Sequence, residues 1–311
     1  MPLPQAFEGR LRLPAVAAPL FLISDPELVT ACCRAGIVGT FPALNARTTA
    51  EFEAWLAAIS EQLAGEREAA PFGVNLIVHR SNRRLDADLE VLLRHPVPLV
   101  ITSLGAVSDL VAELRARGTV VFHDVATVRH IEKAAAAGVD GLVLVCAGAG
   151  GHAGRLNPFA FIAEARRRFS GTLVLAGALS TGRDLLAARL LGADLAYLGT
   201  RMIATRESRA PDAYKRMLVA ATADDVVYTD AVSGIPANFL KESLQRAGID
   251  PAAGPQGSIA RDLDSGSFKA WRDIWSAGQG VAAIHDLPTV AELVGRLERE
   301  WREARAELRH L

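Results

Sequence analysis

The chain has 311 residues, of which 50% are apolar and 22% are charged, and 34 basic side chains stand against 35 acidic ones. This composition is typical of a folded globular protein and excludes a disordered one. The net charge of −1 argues against nucleic acid as a partner, because a phosphate backbone needs a basic surface to neutralise it. The longest apolar stretch, residues 13–23, contains two prolines and is too short to span a membrane.

The first residues and the cysteines indicate a cellular compartment. Residues 1–5 lack the basic start and apolar segment of a signal peptide, so we expect a cytoplasmic protein. The three cysteines, Cys32, Cys33 and Cys146, are odd in number and lack metal-ligand spacing. We therefore predict buried free thiols and no metal site.

Short apolar runs alternate with longer amphipathic segments up to about residue 200, a pattern typical of parallel strands covered by helices. The predicted strands span residues 15–18, 37–41, 73–78, 99–102, 120–123, 141–145, 173–176 and 195–198. The predicted helices between them span residues 26–35, 49–64, 85–94, 107–117, 128–137, 158–169 and 182–191. Eight even repeats favour a (β/α)8 TIM barrel over a doubly wound sheet. Functional groups should then follow the carboxyl ends of the strands.

The pattern changes after Thr200. Helical patterns at residues 213–221, 239–247, 268–279 and 290–308 surround a strand-like segment at residues 226–230. We therefore predict that residues 1–207 form the barrel and that residues 281–311 pack back onto it. Residues 208–280 should form a mainly helical substrate domain that caps the barrel mouth.

Glycines follow the last two predicted strands of the barrel, at Gly177 and at Gly199-Thr200. Many barrels bind a phosphate group at this place through backbone N–H groups, and Gly lets the backbone approach the anion closely. The Thr200 hydroxyl is an additional donor. The alternative, that these glycines only form tight turns, stays open.

The loop after the sixth predicted strand, residues 146–154, carries His152 among glycines and alanines. A His in an open loop at a barrel mouth is suited to proton transfer, because its pKa lies near neutrality. No second ligand at metal-binding spacing accompanies it. Asn75, inside a predicted buried strand, would need hydrogen-bond partners that a heterocyclic cofactor could supply. Ser103, at a strand end, either contacts a ligand or caps a turn.

Several motifs occur together in this chain, namely Ala17-Ala18-Pro19-Leu20, Gly73-Val74-Asn75-Leu76, Ala149-Gly150-Gly151-His152-Ala153-Gly154, Leu198-Gly199-Thr200-Arg201-Met202 and Trp275-Ser276-Ala277-Gly278-Gln279-Gly280. Taken together, they resemble the nitronate monooxygenases, also called 2-nitropropane dioxygenases. The resemblance implies an FMN-dependent TIM barrel that oxidises alkyl nitronates with O2 to a carbonyl compound and nitrite. It places His152 as the catalytic base. It also implies cofactor contacts from Ala18, Pro19, Leu20, Asn75, Ser103, Asp124, Ala149, Gly150, Gly151, Gly177, Ala178, Gly199, Thr200 and Gln279.

Three residues depart from the family pattern. Leu20 stands where relatives usually have Met, and Ala178 replaces the second Gly of an Ala-Gly-Gly turn. Asp124 follows His123 where some relatives that reduce quinones carry Lys. If Asp124 points inward and stays ionised, it disfavours an anionic reduced flavin.

Two other functions compete with nitronate oxidation. The first is an NAD(P)H-dependent flavin reductase that acts on quinones or on an enoyl thioester. The second is a non-catalytic barrel in which His152 only donates a hydrogen bond to a ligand. The sequence predicts small-molecule partners and leaves a homodimer open.

Overall fold

The computed structural model describes residues 3–105, 107–255 and 272–308. Eight parallel strands close into a barrel in the order β1-β2-β3-β4-β5-β6-β8-β9. They are β1 (Ala15–Ala17), β2 (Val38–Pro42), β3 (Phe72–Ile77), β4 (Leu99–Ser103), β5 (Val120–Val125), β6 (Gly141–Val145), β8 (Thr172–Ala176) and β9 (Leu195–Leu198). A short strand outside the barrel, β7 (Gly151–His152), lies between β6 and β8 in the chain. The predicted TIM barrel and all eight of its strands are confirmed.

Helices connect the barrel strands, as predicted. They are α1 (Pro26–Ala35), α2 (Thr49–Gln62), α3 (Leu85–Arg94), α4 (Ser108–Ala116), α5 (Val128–Ala136), α6 (Pro158–Arg168) and α7 (Gly182–Leu191). A further short helix that was not predicted, α8 (Thr200–Ile203), follows the last strand. Local sequence fixes their ends: the Asp25 side chain accepts from Leu28 N, and Thr181 with Asp184 forms a capping box on α7. Gly192 ends α7 at φ +107°.

Alternate residues of the strands fill the barrel interior. The apolar layer inside contains Val16, Val38, Leu99, Ile101, Phe122, Val143, Val174 and Leu195. The same alternation places Asn75, Ser103, Asp124 and Tyr197 above that layer, toward the carboxyl ends of the strands. Between the barrel and its helices, Cys32, Cys33 and Cys146 are buried free thiols, as predicted.

The region after the barrel contains both helices and strands. It contains α9 (Asp212–Ala220), β10 (Val226–Thr229), β11 (Ala237–Leu240) and α10 (Lys241–Arg246), and β11 pairs antiparallel with both β10 and β7. The helix predicted over residues 239–247 is therefore wrong in its first part. Leu240 N donates to Trp275 O at 2.9 Å, and Phe239 bridges to Ser276, so distant chain segments hold this stretch extended.

The helix predicted over residues 268–279 is also not confirmed. Residues 268–271 lie outside the described residues, and residues 273–278 form turns and a β-bridge instead of a helix. Trp275 N donates to the Ser243 hydroxyl at 2.7 Å, which ties this segment to α10.

The helix α11 (Val290–Glu307) packs against α7 and α1, so the end of the chain returns to the barrel surface. A separate apolar cluster joins residues of the intervening region, with Tyr214, Leu218 and Leu240 among its members. We propose on this basis that residues 208–280 form the substrate domain. No helix within the described ranges combines the length and apolar character needed to cross a bilayer.

Candidate active site

A cavity of about 880 Å³ opens at the carboxyl end of the barrel strands. Its volume is in the range of a site for a cofactor together with a small substrate. The predicted site residues that line it are Ala18, Pro19, Leu20, Asn75, Ser103, Asp124, Ala149, Gly150, Gly151, His152, Gly177, Ala178, Gly199 and Thr200. The structure thus brings residues from six strand ends and the loop after β6 to one place.

Gln279 lies beside this cavity and does not line it. Its backbone N donates to Gly148 O at 2.9 Å, and its side chain is exposed. Its flanking glycines do line the cavity. A Cβ at Gly278 would come within 2.6 Å of Gly148 O, and one at Gly280 within 2.8 Å of the Ala178 carbonyl carbon. These two glycines therefore let the segment pack directly against the loop and the turn that form the site.

A small antiparallel sheet, and not an open loop, holds His152 at the cavity. His152 is the register partner of Ala237, and Gly151 is the partner of Asn238. The Asn238 side chain also donates to Ala149 O at 2.7 Å, which fixes the preceding loop residues. Burial lowers the pKa of His152 to about 4, so the imidazole is neutral at pH 7 and able to accept a proton.

The two glycine turns after β8 and β9 meet at one side of the cavity. Gly177 has φ +142°, and a Cβ there would come within 2.9 Å of Ala147 O. The Thr200 hydroxyl accepts from Gly278 N at 2.8 Å and keeps its own proton for donation to a ligand. Arg201 is fully buried and donates to Ala204 O and Asp286 O, which anchors α8 directly behind this turn. The arrangement suits an anionic group such as a phosphate.

Ala178 adopts a left-handed conformation, with φ +56°. An L-residue pays about 1 kcal/mol for this conformation, whereas Gly does not. We expect Ala178→Gly to leave the free energy of unfolding unchanged or to raise it by up to about 1 kcal/mol, as measured by urea denaturation. The matched control is Ala221→Gly, because Ala221 has φ −79° and should lose stability on the same exchange. Equal losses in both variants would contradict the strain at Ala178.

The floor of the cavity is polar. Asn75 donates to Ser103 Oγ at 2.6 Å, and Ser103 donates to Asp124 Oδ2 at 2.5 Å. Burial raises the pKa of Asp124 to about 6, although the Ser103 hydrogen bond lowers it. Tyr197, on β9, also lines the floor, and its pKa is raised by burial and by the Asp124 carboxylate.

The opposite wall is apolar and comes largely from residues that the sequence did not single out. Tyr214 stacks on Trp275 with ring centroids 5.0 Å apart, and its hydroxyl donates to Ser276 O. Further wall residues are Phe21, Ile23, Ile203, Tyr228, Ile235 and Pro236. A side chain in a helical pattern, such as Tyr214, carries no local signal that distinguishes a cavity wall from a core position.

The comparisons with known proteins agree with this architecture. The family model for nitronate monooxygenase matches residues 81–300. The chain belongs to the nitronate monooxygenase family. It is therefore an oxidoreductase, and the family resemblance of its motifs is confirmed.

Individual relatives align with most of the chain. It is 27% identical to the nitronate monooxygenase of Paraburkholderia phytofirmans, over 95% of this chain and 94% of that protein. It is 28% identical to the (3aS,4S,5R,7aS)-5-hydroxy-7a-methyl-1-oxo-octahydro-1H-indene-4-carboxyl-CoA dehydrogenase of Mycobacterium tuberculosis, over 84% of this chain and 73% of that protein. Among solved structures, nitroalkane oxidase from Streptomyces ansochromogenes is 26% identical with a TM-score of 0.84, covering 98% of this chain and all of that one.

Proposed function

We propose that this protein binds FMN in the barrel cavity and oxidises alkyl nitronates with O2 to a carbonyl compound and nitrite. The observation that carries the proposal is the neutral imidazole of His152, held at a cavity with a polar floor and an apolar wall in a chain of this family. The names of two similar proteins, a nitronate monooxygenase and a nitroalkane oxidase, support the same class of substrate. The cytoplasmic location stays a prediction.

The residues at the cavity fit an FMN molecule. A Cβ at Gly199 would meet nothing nearer than Ala18 Cβ at 4.0 Å, so the main chain of this turn is open toward the cavity, which Gly177 also lines. These turns and Thr200 would hold the phosphate. The backbone at Ala18–Leu20 and at residues 149–151 would line the ring, and Asn75 would bond its polar edge. When bound, FMN supplies the electron transfer, while the protein supplies orientation and charge.

His152 would remove the proton from the α-carbon of a neutral nitroalkane. The C–H bond breaks, its electron pair passes into the nitro group, and the proton forms an N–H bond on the imidazole. The products are an imidazolium and a nitronate side by side, so each compensates the charge of the other in a site shielded from water. A nitronate that enters already deprotonated needs no such step.

The apolar wall would bind the alkyl part of the substrate. Tyr214 is held by its stacking on Trp275 and by its hydrogen bond to Ser276 O, so it presents a rigid surface. Ile235 and Pro236 lie next to β11, the strand that pairs with His152. Ile235 and Pro236 would thus contact the alkyl group close to the point where His152 meets the α-carbon proton.

Anaerobic mixing of the purified protein with propyl-2-nitronate and, separately, with NADH tests the function. We expect the nitronate to change the visible absorbance of the bound flavin and nitrite to appear after air is admitted. Rapid bleaching by NADH without a response to the nitronate would instead support a reductase. A protein that purifies without any flavin spectrum would overturn the proposal.

A further inference from the structure

A side pocket of the cavity, formed by His123, His130 and Lys133, lies between β5 and α5. Successive side chains of a strand point to opposite faces, and Phe122 packs inside the barrel, so His123 points outward to the helices. The main chain of His123 is enclosed by its pairing with β4 and β6. It therefore lines the cavity with its side chain, although the residue is only 5% exposed.

One nitrogen of the His123 ring has a partner, and the other is open to the cavity. Nδ1 lies 2.7 Å from the Thr102 hydroxyl. Nε2 has no hydrogen-bond partner in the part of the chain that the structure describes, and it retains contact with solvent. An anion at Nε2 selects the form of the ring that carries a proton there, and Thr102 serves either form because a hydroxyl both donates and accepts. Nε2 is thus a donor that a ligand in the cavity can reach.

Two residues of α5 complete the side pocket, and both are exposed at the rim of the cavity. His130 and Lys133 are one turn apart on one face of the helix. The main-chain N–H of Ala126 donates to His130 Nδ1 at 3.4 Å, so a neutral His130 carries its proton on Nε2. Helical side chains tilt toward the N-terminus of their helix, which brings the Lys133 ammonium toward the cavity mouth. The side pocket therefore presents three donors.

The side pocket has a positive potential without a counter-ion. Neither His130 nor Lys133 forms an ion pair with any of the described residues. Burial, together with the charge of His130, lowers the pKa of His123 to about 4, and burial and the charges of Lys133 and Arg129 lower the pKa of His130. The cavity-lining carboxylate of Asp124 lies on the opposite face of β5, where it accepts from a hydroxyl inside the barrel. An anion in the side pocket would therefore meet uncompensated positive charge.

A phosphate group fits the side pocket better than a carboxylate does. A terminal phosphate has three acceptor oxygens, one for each of the three donors, whereas a carboxylate has two. The N-terminus of α5, capped by Thr127, lies at the same place and adds partial positive charge. The phosphate proposed for FMN lies at the turns after β8 and β9, so the side pocket is a second anion site.

The side pocket adjoins the loop that carries His152. Gly154 follows two residues later, and a Cβ there would lie 3.4 Å from Ala126 Cβ. The same Ala126 donates to the His130 ring, so it links the loop to the side pocket. A molecule whose reacting carbon lies at His152 would therefore reach the side pocket with its far end.

We propose that His123, His130 and Lys133 bind a phosphate group of the substrate, at a place separate from the flavin. No bond is made or broken there, and the three donors hold the group by charge and hydrogen bonds. The link to the substrate rests on the proposed function, whereas the anion site itself does not. The substrate is then a nitro compound with a phosphorylated end.

Nuclear magnetic resonance of the histidine rings tests the anion site directly. The full chain, loaded with FMN so that the cofactor's own phosphate site is filled, is titrated with inorganic phosphate, and sodium chloride at equal ionic strength is the control. We expect saturable shifts of the ring signals of His123 and His130, assigned with His→Gln variants, and none at His95 on the barrel surface. Lys133→Met should weaken this binding at least about tenfold, because it removes a charged donor. Lys241→Met is the matched control, since Lys241 is exposed on α10 and does not line the cavity.

A pair of substrates tests whether the phosphate belongs to the substrate. The compound 3-nitropropylphosphonate carries a phosphate-like group at the end of its chain, and 1-nitrobutane has the same chain length without the charge. We expect the ratio of kcat/KM for the phosphonate to kcat/KM for nitrobutane, measured by nitrite release, to fall about tenfold in Lys133→Met and to stay the same in Lys241→Met. In the unmodified protein the ratio should also fall between about 0.01 M and about 1 M salt, because the Debye length shortens from about 30 Å to about 3 Å.

The outcomes of the two experiments are distinct. Absence of a saturable shift at His130, or a shift that Lys133→Met leaves unchanged, would overturn the phosphate site. Saturable binding with an unchanged kcat/KM ratio would assign the side pocket to free phosphate and overturn its role for the substrate. A protein that binds no flavin but still shows the phosphate shifts would keep the site and overturn the proposed function instead. Lys133 is exposed, so its exchange should leave the fold intact.

Discussion

Gly177→Glu is expected to give a folded protein that purifies without flavin. Gly177 follows β8 with φ +142°, and a Cβ there meets Ala147 O at 2.9 Å and Cys146 Cβ at 3.2 Å. The new side chain must therefore push aside the loop after β6, which lines the site, or turn into the cavity, where its charge opposes the phosphate. Two like charges about 4 Å apart near a protein surface repel by about 4 kcal/mol. Such a penalty weakens binding by about a thousandfold.

The measurement is the ratio of flavin absorbance to protein absorbance after purification, followed by titration with added FMN. Gly192→Glu is the matched control. Gly192 also has a left-handed φ, +107°, but no atom lies within 4 Å of a Cβ at that position, and it caps the far end of α7. The control carries the same charge away from the cavity and also has a left-handed backbone, but it lacks the contact with Ala147 O. Full flavin occupancy in Gly177→Glu would show that the phosphate lies elsewhere.

The barrel could be predicted from sequence because each of its signals is local. The apolar runs at β4 and β6, for example, are buried on both faces and stand out from the amphipathic segments beside them. Helix caps such as Thr181 with Asp184 also act within a few residues. The predicted cavity residues lie together for the same reason, since the carboxyl ends of parallel strands meet at one end of a barrel.

The parts that the sequence did not predict depend on distant partners. His152 is positioned by β11, about 85 residues further along the chain, and the residues of β11 carry a pattern that also fits a helix. The same holds for the floor, where Asn75, Ser103 and Asp124 meet only because β3, β4 and β5 are neighbours in a particular register. Register is a property of the folded sheet, and no single strand specifies it.

His152→Ala is expected to lower kcat/KM much more for neutral nitroalkanes than for nitronates, which differ from them by one proton. On neutral nitroalkanes, loss of a general base should lower kcat/KM by about 10² to 10⁴. On preformed nitronates, the reduction should stay below about tenfold, because the proton is already gone. The β7–β11 pairing uses the main chain, so truncation of the side chain should leave the sheet and the flavin content unchanged. The rates are measured by nitrite release with both substrate forms at one pH.

His95→Ala is the control for loss of a histidine as such, because His95 pairs with Glu53 on the barrel surface. The pH profile supplies a second criterion. The neutral imidazole is the active form, and a pKa of about 4 instead of 6.5 keeps it neutral well into acid. For neutral nitroalkanes, kcat/KM should therefore not begin to fall near pH 6.5 but only below about pH 5. Equal losses on both substrate forms would place His152 in a step after proton removal, since a group that only accepts that proton cannot affect a substrate that lacks it.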